Sequence, residues 1–289
     1  MTITPERDAP PPFQPTHRRP YIVTKDGTRL HYGEFGEGPP LLFVASWALH
    51  GQMWEYQVAH FAERGYRCVF FDRRGHGKSD VPPGGYDLDT LADDLQAVIE
   101  GLDLRDVVIV AHSMGAAETI RHAARHACKR IRKIVMLGPV APCLLLKDDN
   151  AFGAPRAFFD ETLSRYAADF PQWAYEMQEG FFNASTSAPL KEHFTRQLLD
   201  IAPIVAIKCF RALVDADLRE DLAAVDRPVL ILHGALDVQA PLAITGERLA
   251  AGLPHVTLEV YDDAPHGIWI THLQRVNRDI GDFLGREAV

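Results

Sequence analysis

Between about residue 20 and residue 138, short apolar runs alternate with amphipathic stretches. "RPYIVTKDGTRLHYGEFG" has the pattern of a β-hairpin that turns at Asp26-Gly27. "PPLLFVAS" and "YRCVFFD" are continuous apolar runs, the pattern of strands buried on both faces. Between them, Gln52 to Arg64 has helical spacing and stops at Gly65, a natural C-terminal cap. A second helix is predicted over Asp89 to Gly101, with Leu91, Leu95, Val98 and Ile99 on its apolar face. "DVVIVAH" predicts a strand, Ala116 to Ala127 a helix, and "IRKIVMLG" another strand.

The texture changes from Pro139 to about Asp221, where strand patterns give way to an aromatic, helical segment carrying Phe158, Phe159, Trp173, Tyr175, Phe181 and Phe182. Alternation then resumes: strand "PVLILHG", helix Leu242 to Ala251, strand "VTLEVYD" and a last helix from Trp269. Strands alternating with helices imply right-handed crossovers and a mostly parallel sheet covered on both faces. The expected fold class is therefore α/β. Residues 20–138 and 222–289 form its core, 139–221 a helical insertion, and 1–19 a Pro-rich N-terminal arm.

The chain has 289 residues, 47% of them hydrophobic and 24% charged, as in ordinary globular proteins. A net charge of −9 argues against a nucleic-acid partner, which needs clustered basic residues. The short basic clusters at Arg73-Arg74 and Lys129–Lys133 are expected to be solvated turns and helix ends. No apolar run approaches the roughly 18 residues of a membrane span, and "MTITPERDAPPPFQPTHRRP" lacks the apolar stretch of a signal peptide. Cys68, Cys128, Cys143 and Cys209 are scattered without metal-ligand spacing, so no metal is expected, and the reduced cytoplasm is the expected compartment.

Candidate chemistry begins at "VVIVAHSMGAAE", Val107 to Glu118, where a serine stands between a buried strand and a helix. Ser113 could cap the helix, or it could be a nucleophile raised on a sharp strand-to-helix turn. The choice depends on whether a base, an acid and an oxyanion site converge on it. Of the histidines, His60, His122 and His126 lie at helical positions expected at the surface or its boundary, and His233 ends a strand. His266, in "YDDAPHGIWI", instead occupies a Pro/Gly-bounded loop directly after a strand, where catalytic groups gather. Asp237 sits in the exit loop of the preceding strand, within "LILHGALDVQAP". A carboxylate there would hold an imidazole's tautomer and stabilise its charged form. Asp262 and Asp263 are its rivals by proximity, and are expected to be turn residues. The backbone N–H groups of Met114, at the helix start, and of Trp47, after "PPLLFVAS", are the expected oxyanion donors.

The chain order Ser, Asp, His, together with these residues, resembles the α/β-hydrolase superfamily. The likeness is nearer to its cofactor-free haloperoxidase and esterase (perhydrolase) group. It is carried by "SWALHGQMWEYQ", "GYRCVFFDRRGHGKSD", "YDLDTLADDLQAVIEGLDLRDVVIVAHSMG", "DLREDLAAVDRPVLILHGALDVQAP" and "APHG". The resemblance implies Ser113 as nucleophile, His266 as base, Asp237 as acid, Trp47 and Met114 as backbone donors, and no cofactor. Two positions depart from the group's pattern. Ala45-Ser46 replaces the usual His-Gly, adding a hydroxyl near the site, and Ala111 replaces the first glycine of the elbow.

"GHGKS" resembles the end of a phosphate-binding loop, but Asp72 stands where the loop needs its first glycine and would repel phosphate. The expected activity is hydrolysis of a small uncharged carboxylic ester or lactone beneath an aromatic insertion. One alternative is peracid formation from the same acyl-serine. Another is a non-catalytic ligand-binding protein on this fold, although such descendants tend to lose a triad member. Dehalogenase or epoxide-hydrolase chemistry normally needs an Asp where Ser113 stands. Self-association into a homo-oligomer is left open by the sequence.

Overall fold

The computed structural model describes residues 20–285; the Pro-rich arm expected over 1–19 lies outside the described residues. The strands are β1 (Tyr21–Val23), β2 (Arg29–Phe35), β3 (Pro40–Val44), β4 (Arg67–Phe71), β5 (Val107–His112), β6 (Ile131–Leu137), β7 (Val229–Gly234) and β8 (Val256–Tyr261). They form one 8-stranded sheet in the order β1-β2-β4-β3-β5-β6-β7-β8. The β1–β2 hairpin and the β2–β4 pair are antiparallel, and every pair from β4 through β8 is parallel.

Helices α1 (Glu55–Ala62), α2 (Leu88–Gly101) and α3 (Met114–His126) connect the first parallel strands. Four helices separate β6 from β7: α4 (Arg156–Glu176), α5 (Gln178–Phe181), α6 (Ala188–Leu199) and α7 (Pro203–Asp215). The chain closes with α8 (Gly246–Gly252), α9 (Ile268–Thr271) and α10 (Leu273–Gly285). The boundaries differ from expectation where local chemistry intervenes. The first predicted helix begins as a 3-10 turn at Gly51, and the second is capped by Asp87, whose side chain accepts from Thr90 N–H. The third starts two residues early, at Met114, and the last breaks at His272.

The period of two in each strand divides the core. Leu42, Val44, Ile109, Ala111, Ile134, Met136 and Ile231 pack with α2, α3 and α8. Their neighbours Leu41, Phe43, Val108, Val110, Val135 and Leu232 pack with α1 and α10 on the other face. Burying a side chain such as Leu95 or Ile120 stabilises the fold by about 1.5–3 kcal/mol.

The basic pair expected to be solvated is instead buried. Arg74 lies in a bidentate pair with Asp94 on α2, at 2.6 and 2.7 Å, and also reaches Asp26 in the hairpin turn at 2.9 Å. Arg73 is 2% exposed and turns inward toward Glu118. Lys133 is likewise buried, its ammonium donating to the carbonyl of Phe283. His122 is buried too, against Gln96 of α2. Each of these groups can be buried because a partner comes from another element.

In α4 the run Asp169-Phe170-Pro171 breaks the helix. Proline cannot donate to the turn before it, Asp169 leaves the helical region, and its carboxylate caps Gln172 N–H at 2.9 Å. The bend places Tyr166 and Trp173 with ring centroids 4.4 Å apart.

Candidate active site

Strand β5 is buried along its whole length and ends at His112; Ser113 follows and α3 begins at Met114. Ser113 has φ 54° and ψ −116°, a backbone conformation that costs a non-glycine residue about 1–3 kcal/mol. The surroundings impose it: Ser113 N–H donates to Leu137 O at 3.0 Å, and its carbonyl accepts from Ala116 at 3.1 Å and Val140 at 3.2 Å. Two residues on, a Cβ at Gly115 would lie 2.8 Å from Val44 O and 2.9 Å from Ala45 O, so only glycine lets α3 close under the turn. Ala111, in the elbow's other small position, is fully buried without disturbing the strand. Ser113 is thus on a strained elbow, and its side chain does not cap the helix.

The turn presents Ser113 Oγ to His266 Nε2 at 3.0 Å, and His266 Nδ1 meets Asp237 Oδ2 at 2.7 Å. A carboxylate only accepts, so Nδ1 carries the proton and Nε2 is left to accept from the hydroxyl. The other carboxylate oxygen, Oδ1, accepts from the N–H groups of Gln239 and Ala240 at 3.0 and 2.7 Å. Asp262 is exposed, and Asp263 pairs with His272 outside this cluster at 3.1 Å. The three side chains come from three separate strand exits, and the fold brings them into one hydrogen-bonded line.

Two further histidines, His112 and His233, support that line. His112 Nε2–H donates to the carbonyl of His266 at 2.9 Å, and its ring packs at 4.6 Å on Trp269. Burial holds His112 well below the usual imidazole range, so it stays neutral. His233 Nε2–H donates to Ala240 O at 2.8 Å and lies 3.6 Å from Asp237 Oδ2; burial lowers its basicity also. Their positions carry the signal: His112 is the last residue of β5 and His233 the last but one of β7, and the turns after those strands hold Ser113 and Asp237.

The family described as the alpha/beta hydrolase fold matches residues 39–273. The chain belongs to that family. It is 35% identical to the non-heme chloroperoxidase CPO-A1 of Kitasatospora aureofaciens, over 92% of this chain and 100% of that one. It is 31% identical to the bifunctional esterase/perhydrolase DCH of Acinetobacter calcoaceticus, over 91% of this chain and 99% of that one. An esterase from Exiguobacterium antarcticum superimposes with a TM-score of 0.89 at 28% identity, covering 92% of this chain and 99% of the esterase. The resemblance to the haloperoxidase and esterase/perhydrolase group therefore holds along nearly the whole chain.

In this α/β-hydrolase the loop after β3 is locked by Arg73. Its guanidinium donates to Ala45 O at 2.8 Å, Ser46 O at 3.1 Å and Glu118 Oε1 at 2.5 Å. Glu118 stands on α3, the helix that starts at Ser113, so a single side chain ties the loop bearing Trp47 to the nucleophile turn. Burial pushes the Glu118 carboxyl up, and the Arg73 charge opposes that shift. The N–H groups of Trp47 and Met114 make no hydrogen bond among the described residues.

The hydrolase carries a cavity of about 480 Å³ over Ser113 and His266, within the range of small-molecule sites. Trp47 forms one wall. Its indole N–H donates to Ala206 O on α7 at 2.9 Å, and its ring stacks on Tyr166 at 5.1 Å and meets Trp173 at 5.5 Å. Phe158, Phe181, Phe194 and Phe210 continue the lining, all from the inserted segment. Arg165 also lines the cavity and is ion-paired with Glu176. Among the described residues no helix is long and apolar enough to cross a membrane.

Proposed function

We propose that this α/β-hydrolase cleaves small, uncharged carboxylic esters or lactones through an acyl-enzyme on Ser113. The observation that carries this reading is the Ser113 Oγ–His266 Nε2 contact of 3.0 Å, backed by the 2.7 Å contact from His266 Nδ1 to Asp237. Ser113 Oγ attacks the ester carbonyl as its proton passes to His266 Nε2. The carbonyl π electrons move to oxygen, which the N–H groups of Trp47 and Met114 receive. As the tetrahedral centre collapses, the C–O bond to the alcohol breaks and His266 returns the proton to that oxygen. Water then repeats the sequence on the acyl-serine and releases the acid. Asp237 holds the imidazole's tautomer and stabilises it when charged. The aromatic walls favour apolar acyl or alcohol groups, since an unpaired charge would lose its hydration there.

A panel of p-nitrophenyl esters and lactones of graded size tests the reading. Wild type should turn over the uncharged members and Ser113→Ala should not. Turnover that survives Ser113→Ala overturns it, and so does tight ligand binding without turnover. The 31% identity to an esterase/perhydrolase supports a second reading, in which hydrogen peroxide replaces water as acyl acceptor and the product is a peracid. Partitioning of one acyl-enzyme between peroxide and water separates the two.

A further inference from the structure

The hydroxyl of Ser46 has no part in the steps above, although it stands where the resembling group carries glycine. Ser46 is 3% exposed and lines the same cavity as Trp47, Ser113 and His266. Both of its backbone groups are engaged: N–H donates to Met53 Sδ at 3.2 Å, and the carbonyl accepts from Arg73 at 3.1 Å. These contacts fix the residue and therefore the direction of its Cβ. The side-chain hydroxyl makes no hydrogen bond among the described residues, yet it is not one of the polar atoms sealed from solvent. A hydroxyl in so buried a residue is ordinarily paired. Here the open side is the cavity. No imidazole or carboxylate bonds to it, so it has no base and does not serve as a second nucleophile.

We propose that the Ser46 hydroxyl is a third donor to the oxyanion that forms on attack by Ser113, beside the N–H groups of Trp47 and Met114. The assignment rests on the acyl-serine reading above. Ser46 immediately precedes the Trp47 N–H in a loop pinned by Arg73, so the hydroxyl rides on the same rigid segment as a backbone donor. A neutral hydroxyl bonds weakly to an ester carbonyl and strongly to an alkoxide, because the bond to the alkoxide is charge-assisted. The contribution therefore falls on the transition state and on kcat, leaving KM in place.

The test compares Ser46→Ala, Ser46→Gly and Ser46→Thr with wild type, using p-nitrophenyl acetate as substrate and phenylboronic acid as a probe of the tetrahedral adduct on Ser113. Loss of one oxyanion donor costs about 100-fold in kcat. Ser46→Ala and Ser46→Gly should both show such a loss with KM unchanged and boronate inhibition weakened in parallel. Ser46→Thr, which keeps the hydroxyl, should retain most of the rate. Wild-type kcat in either hydroxyl-free variant overturns the proposal, as does a change confined to KM. If Ser46→Ala proves unfolded by its melting curve, Ser46→Gly decides. Fluorophosphonate labelling of wild type separates the two levels of failure. Unlabelled, inactive wild type removes the acyl-serine reading itself. Labelled, active wild type with an indifferent Ser46→Ala removes this assignment alone.

Discussion

Glu118→Ala should destabilise the fold, and further removal of Arg73 should restore part of that stability while lowering activity about 100-fold. Arg73 and Glu118 are 2% and 1% exposed and meet at 2.5 Å. Deleting the carboxylate leaves a guanidinium that cannot shed its proton, and an uncompensated buried charge costs about 3–5 kcal/mol. At about 2–4 °C per kcal/mol, the melting midpoint should fall by roughly 6–20 °C. In Glu118→Ala/Arg73→Met the stranded charge is gone, but Ala45 O and Ser46 O lose their donor at about 1–3 kcal/mol each, so the midpoint should recover only in part. Activity moves the other way. Glu118→Ala still holds Ala45 O and Ser46 O through Arg73 and loses turnover modestly, whereas the double variant has no donor for either carbonyl. A loop shift of about 1 Å is enough for a 100-fold loss of kcat. Guanidinium chloride unfolding and p-nitrophenyl ester turnover, run on the same preparations, read both effects. A Glu118→Ala midpoint equal to that of wild type would refute the charge argument. One that turns over like wild type would refute the positioning role of Arg73.

Gly138→Ala should lower kcat more than stability: at φ +46° an added Cβ would stand 3.2 Å from Asp237 Oδ2 and 3.3 Å from His266 Nδ1, pressing on their hydrogen bond. Kinetics set beside a melting curve check this, and an unchanged kcat would contradict it. Stability should also fall in acid. Burial, reinforced by the Arg73 charge, holds His76 down at about 3, and burial with the His126 charge holds His122 at about 4. Both rings are neutral when folded and regain a pKa near 6.5 on unfolding. Their contribution is complete above about pH 6.5 and is lost as pH falls toward 4 and then 3, at up to about 1.4 kcal/mol per pH unit for each ring. Urea midpoints at pH 7.5 and pH 5 should show the loss, and His122→Phe should reduce it; equal midpoints in wild type would contradict the sign.

Legibility in the sequence followed the range of the interactions. The elbow at Ser113 was visible because a continuous apolar run gives way at one residue to small helical positions. Asp237 and His266 were visible because each lies in a loop just after a strand, and the parallel order of β7 and β8 sets those loops side by side. The fate of Arg73 and Arg74 was not visible. Their partners Glu118 and Asp94 lie 45 and 20 residues further on, and nothing local marks a charge that will be buried. Nor does anything local mark the burial of His122, whose partner Gln96 belongs to a different helix. The aromatic content of the insertion was plain, but the stacking of Tyr166 on Trp47 depends on the bend at Asp169-Phe170-Pro171 and on a strand exit more than a hundred residues away.

In the proposed chemistry the fold makes one alcohol, that of Ser113, reactive. The most direct test is to treat the whole protein with a fluorophosphonate and map the adduct by peptide mass spectrometry. One equivalent should be found on Ser113, none in Ser113→Ala, and capture should be much slower in His266→Ala, which removes the base 3.0 Å from Ser113 Oγ. An adduct on another residue, or a Ser113 that reacts equally fast without His266, would contradict it.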